Sequence, residues 1–174
     1  MRRTVTVVSS GVVAAAIVAL GIAVAGMAST WSTSGVAQTT SETTTTEEPK
    51  TTPYRAVLTA GAEVPKPKRV KARAGGTFKV DLTDASVSYS IAWTLTYRNL
   101  TGKAVAAHIH RGKPGKAGPV IVGLCQPCRS GRKGKARVSK TVATVLKAGT
   151  AYVHVHTAVN AAGEIRGQLK KASS

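Results

Sequence analysis

The chain has 174 residues, enough for one modest domain plus its termini, and carries 25 Lys and Arg against 7 Asp and Glu, a formal net charge of +18. From Tyr54 onward 22 bases face 4 acids, so the excess belongs to the C-terminal part and favours anionic partners such as acidic wall polymers, nucleic acid or lipid headgroups. The 4 acids are Glu63, Asp81, Asp84 and Glu164, and no nucleophile–base–orienter set, phosphate-cradling glycine loop or zinc-protease helix accompanies them, which argues against an enzyme.

Arg2-Arg3 is followed by an uninterrupted small and apolar run from Gly11 to Ala28, with no charge before Glu42. A basic start ahead of an apolar stretch predicts a signal peptide or an N-terminal membrane anchor over residues 1–28. Small-residue pairs at Gly26/Ala28 and Gly35/Ala37 suit cleavage. Both readings place the remainder outside the cytoplasm, secreted or held at the cell surface, with membrane contact through this segment if it is retained. Residues 29–53 turn to Ser, Thr, Glu and Pro, with nothing apolar to bury from Thr39 to Pro49, and read as a disordered tether.

Over 54–171 the period becomes two and no helical periodicity is found. The clearest run is Val87 to Tyr97, with Val87, Tyr89, Ile91, Trp93, Leu95 and Tyr97 on one face. Further strands are expected at 54–60, 77–82, 104–110, 119–124, 136–142, 151–157 and 164–170, separated by Gly and Asn turns. About eight short strands predict an all-β domain, an antiparallel Greek-key sandwich or barrel.

All four histidines lie in two pairs, His108-Ile109-His110 and His154-Val155-His156. Residues i and i+2 share a strand face, so each pair points one way, opposite its aliphatic neighbours. That predicts an outer sheet face where His108, His110, His156, Glu164 and Arg166 form a polar cluster, joined by His154. Three readings stand. Neutral imidazoles at this spacing can ligate copper or zinc, with His108, His110, His154 and His156 as ligands. They can instead hydrogen-bond to Glu164 and backbone carbonyls and fix the sheet, with no cofactor required. Or they can join Arg166 and Arg111 in holding an anion.

Cys125 and Cys128, the only cysteines, read as a disulfide in an exported chain, with metal or redox roles as alternatives. Cations gather in two loops: Lys66, Lys68 and Arg69 in one, and Arg129, Arg132, Lys133, Lys135 and Arg137 in a glycine-spaced other. The second loop is expected to be flexible and suited to a polyanion such as a cell-wall or extracellular polymer. Sparse aromatics argue against specific nucleic acid.

Four motifs in order, Ala60-Gly61-Ala62-Glu63-Val64-Pro65, Ala107-His108-Ile109-His110-Arg111-Gly112 with Gly118-Pro119-Val120, Tyr152-Val153-His154-Val155-His156-Thr157, and Gly163-Glu164-Ile165-Arg166-Gly167-Gln168-Leu169, make residues 54–169 resemble the CHRD family. This domain is named after repeats in chordin and is also found singly in bacterial secreted proteins. The resemblance implies an all-β extracellular domain without an agreed catalytic activity, acting as a binding or structural module. Family members often carry Asn where this chain has His154. Copper/zinc superoxide dismutases also place a His-x-His on a Greek-key barrel, but their His- and Asp-rich zinc loop has no counterpart here.

Overall fold

Alternation of buried and exposed residues builds nine strands, β1 (Lys50–Thr59), β2 (Gly75–Asp84), β3 (Tyr89–Arg98), β4 (Ala104–Arg111), β5 (Val120–Cys125), β6 (Arg132–Val138), β7 (Ala151–Thr157), β8 (Ile165–Gln168) and β9 (Lys170–Lys171). The computed structural model describes residues 47–173, so the expected signal or anchor and the tether up to residue 46 lie outside the described residues. Every pairing is antiparallel. The order β5-β4-β7-β8-β1-β2-β3-β6, with β9 beside β1, makes one continuous sheet curled into a nearly closed barrel. Among the described residues no helix is long and apolar enough to cross a membrane.

The inner face holds Tyr54, Ala56 and Leu58 of β1, Phe78, Val80 and Leu82 of β2, and Ile91, Trp93 and Leu95 of β3. Ala107 and Ile109 of β4, Val153 and Val155 of β7, and Ile165 complete it. Burying such side chains stabilises the fold by roughly 1.5–3 kcal/mol each.

Four expectations need correction. A helix, α1 (Lys140–Lys147), stands where a strand over 136–142 was expected. Ser139 caps it, its Oγ accepting from the Val142 N–H at 3.3 Å, and Gly149 follows it at φ 67. Val142, Val145 and Leu146 fall on one helical face and enter the core. Two turns rich in Val and Thr are too short and too β-prone for their 3.6-residue period to stand out.

The glycine-spaced run expected to be a flexible loop is strand β6, paired with β3 from Arg132↔Leu95 to Val138↔Tyr89. Sheet hydrogen bonding outweighs the freedom that Gly134 would otherwise give. The third correction is Val87, which is 96% exposed in the turn before β3 rather than in the core. Fourth, the tether gives way to the sheet at Lys50, because β1 pairs with Asp84, Thr83, Leu82 and Asp81 of β2 before it reaches Tyr54.

Candidate metal centre

β4 and β7 run antiparallel with His108 opposite His154, His110 opposite Tyr152, and Ala106 opposite His156. β8 then sets Arg166 beside His154 and Gln168 beside Tyr152. Because Ala107, Ile109, Val153 and Val155 point into the core, all four imidazoles emerge on the other side of the sheet. Ring centroids lie 4.1 Å apart for His154–His156, 4.3 Å for His110–His154 and 5.0 Å for His108–His156. One ring nitrogen from each of the four lies within 4.8 Å of the others.

This face was expected to be an open outer surface, and it is covered instead. His110 and His154 are buried, while His108 and His156 are half-buried. The 3₁₀ turn Ala60–Ala62 ends at Glu63, whose side chain is fully buried against His154. Arg166, expected to point outward, is also buried and lies flat on the Tyr152 ring, 3.4 Å from its centroid. Its Nη2 donates to the carbonyls of Lys113 and Lys116 at 3.2 and 2.8 Å, tying the loop after β4 over the site. Its Nη1 is buried without a hydrogen-bond partner, so the anion-binding reading keeps one donor of this guanidinium.

The second nitrogen of each ring defines the tautomers. Carbonyl oxygens only accept, so His110 donates from Nδ1 to Gly118 O at 2.8 Å, and His156 donates from Nδ1 to Ala161 O at 2.8 Å. His154 Nδ1 lies 3.2 Å from Glu63 Oε1 and donates to it. In all three rings Nε2 is therefore left with a bare lone pair. The Nε2 atoms of His110 and His154 are buried without any hydrogen-bond partner. His156 Nε2 meets His108 Nδ1 at 3.1 Å, where the hydrogen sits on His108. Rings that donate one nitrogen to a carbonyl or carboxylate and turn the other inward are arranged as metal ligands are.

Electrostatics keep His108, His110 and His154 neutral. Burial first, and then the neighbouring His156, His108 and Arg166, push His154 down to about 3. Burial, with His156 and His110 beside it, lowers His108. Burial also lowers His110 against the opposing pull of the Gly118 carbonyl. Glu63 moves the other way, raised by burial to about 7 despite the Val64 N–H, Arg166 and two histidines. Near neutral pH the His154–Glu63 contact is therefore a hydrogen bond from a neutral ring rather than an ion pair, and neutral imidazole is the form that binds metal.

Glu164 does not join the imidazoles as expected. Its Oε2 accepts from Thr157 Oγ1 at 2.6 Å and Asn160 Nδ2 at 3.1 Å, and its Oε1 from the Thr101 N–H at 2.6 Å. Burial raises this carboxyl, but these donors outweigh it and hold the group below the usual range. Glu164 lies one residue before β8, where Thr101, Thr157 and Asn160 hold it, and it anchors a turn instead. Glu63, which takes the role, stands on an irregular turn 91 residues before His154, where no period points to it. Its one sequence signal was its place in the Ala60–Pro65 motif.

Cys125 and Cys128 are joined in a disulfide, with Cα atoms 5.2 Å apart, at the end of β5. Lys66, Lys68 and Arg69 lie on an exposed loop pinned by Asn160 and Thr101. Arg129 is exposed just before β6.

The family model of the CHRD domain matches residues 54–169. No curated protein and no solved structure matches the chain.

Proposed function

The chain belongs to the CHRD-domain family, and from that premise we propose that its domain is a non-catalytic module that binds one copper or zinc ion through His108, His110, His154 and His156. The observation that carries this reading is the set of three Nδ1 atoms held by Gly118, Ala161 and Glu63, which leaves three Nε2 lone pairs free in a cluster where one nitrogen of each of the four rings lies within 4.8 Å of the others. Imidazole suits both metals, and copper(II) binds such sites more tightly than zinc. In an ideal tetrahedral shell with metal–nitrogen bonds of ~2.0–2.1 Å, the nitrogens stand roughly 3.3–3.4 Å apart. The His108–His156 pair at 3.1 Å already has that spacing, and the wider pairs close in by roughly an ångström or more. A bound ion also displaces the hydrogen shared by that pair.

Four protein ligands close the shell of a zinc ion, whereas catalytic zinc sites keep a position open. That supports a binding role over an enzymatic one. The disulfide and the basic, apolar N-terminus support work in an oxidising compartment outside the cytoplasm.

Calorimetric titration of the full chain with copper(II) and zinc, beside His108→Ala/His156→Ala, tests the reading. The half-buried pair is chosen because its loss leaves the packing of His110 and His154 in place. One ion per chain is expected, with affinity weakened more than about 100-fold in the variant. Equal affinity in both proteins would sink the proposal.

A further inference from the structure

The outer face of β1, β2, β3 and β6 carries a second site, on other strands. Outward positions on β1 include Arg55, on β2 Lys79 and Asp81, on β3 Ala92 and Thr94, and on β6 Lys133, Lys135 and Arg137. The register lines up Lys133, Thr94, Lys79, Arg55 and Lys170 in one row across five strands. At ~4.8 Å between strands that row spans roughly 19 Å. Along β6, Lys133, Lys135 and Arg137 recur every second residue, roughly 6.8 Å apart. The residues between are small, and β6 stands as a cationic bank on one side of a floor of Ala92 and Thr94, with Lys79 and Arg55 across it.

A trough of about 450 Å³ follows this floor, lined by Arg55, Lys79, Asp81, Thr94, Lys133 and Lys135 among others. Asp81 is its only acid, against four cations. All of these cations are exposed, and none is engaged in a salt bridge among the described residues. Cross-strand hydroxyl pairs, Thr77–Thr96 at 2.6 Å and Thr51–Thr83 at 3.1 Å, stand on the same outer face of the sheet and add polar groups.

We infer that this face is a docking surface for a linear glycan bearing sulfate esters, laid beside the β6 cations and reached from across the floor by Lys79 and Arg55. The β6 cations, repeating every second residue, match repeated anionic groups, and Thr94 with the flanking threonine pairs matches a sugar chain, which carries several hydroxyls per unit where a glycerol phosphate polymer carries one. The aromatic residues that line the trough, Tyr54 and Trp93, are buried and leave little face for bases. Trp93 turns into the core, where it sits so close to Gly134 that an added Cβ would come within 2.4 Å of its ring. Base stacking needs exposed aromatic faces, so a single-stranded nucleic acid is the poorer fit. Lys66, Lys68 and Arg69 stand on the loop pinned to Asn160 and Thr101, not on these strands. The site therefore draws on Arg55, Lys79 and Lys170, which the sequence clusters did not contain.

The test compares two quadruple variants of the full chain that lose equal charge. One is Arg55→Ser/Lys79→Thr/Lys133→Thr/Lys135→Thr, and the other is Lys66→Ser/Lys68→Ser/Arg69→Ser/Lys71→Ser. The probes are heparin oligosaccharides, poly(glycerol phosphate) and a single-stranded DNA of equal charge, each titrated at two salt concentrations after circular dichroism shows both variants folded. The face variant is expected to lose at least about tenfold in affinity for the heparin oligosaccharides, with binding weaker at high salt, while the loop variant stays within about twofold of wild type. Equal losses in both variants would overturn the inference, because net charge alone would then explain binding. Failure of heparin to bind, or tighter face-dependent binding of poly(glycerol phosphate) or of the DNA, would overturn it as well. His108→Ala/His156→Ala is expected to bind the polymers as wild type does, which keeps this result separate from the metal reading.

Discussion

His154 Nδ1 and Glu63 Oε1 meet at 3.2 Å across 91 residues of chain, joining the turn after β1 to the centre of β7. The carboxyl is fully buried, and its second oxygen, Oε2, has no hydrogen-bond partner. The contact fixes which nitrogen of His154 carries hydrogen, and it ties metal affinity to the protonation of a residue that is not itself a ligand.

The pH dependence of stability without metal follows from that pair. Glu63 has a folded value near 7 against an unfolded value near 4.5. The folded state therefore holds the extra proton, and the resulting stabilisation is full below pH ~4.5 and lost as pH rises to ~7. The whole swing is about 3 kcal/mol. His154, at about 3 when folded, acts in the opposite sense, and stability is lost as pH falls from ~6.5 toward ~3. In chelator, Glu63→Gln is expected to gain in Tm relative to wild type as pH rises from 5 to 8. A Tm difference that stays flat over that range would contradict the buried-carboxyl assignment.

Gly163 makes room for the same contact. Its φ is 129°, and a Cβ there would come 2.7 Å from the Glu63 carboxyl and 2.9 Å from His154 Nδ1. Gly163→Ala is expected to cost about 1–3 kcal/mol from backbone strain alone and to weaken metal binding by about tenfold or more. Denaturant melts and metal titration measure the two effects separately.

The two buried glutamates should part company. Glu164→Gln cuts into a network of Thr101, Thr157 and Asn160 donors and should cost about 1–3 kcal/mol while leaving metal affinity within about twofold. Glu63→Gln should weaken metal binding about 10–100-fold. A larger metal effect from Glu164→Gln would restore the carboxylate that sequence spacing first suggested.

The strands and the pairing of His108 with His110, and of His154 with His156, were legible because a two-residue period states which side chains share a face. Burial of that face was not legible. The lid over it comes from Glu63, Gly163 and the loop tied down by Arg166, all of them irregular backbone without a period. Helix α1 hid for the opposite reason: Val138, Lys140 and Val142 mimic a strand, and only the Ser139 cap and Gly149 mark the helix ends. The cation row from Lys133 to Lys170 depends on register between segments far apart in the chain, and local spacing carries no register.

X-ray absorption at the metal edge of the copper- or zinc-loaded full chain tests the central claim most directly. The account predicts a first shell of four imidazole nitrogens, at ~2.0–2.1 Å for zinc, without sulfur. A shell made mainly of oxygen, one containing sulfur from Cys125 or Cys128, or one with fewer than three imidazoles would contradict it.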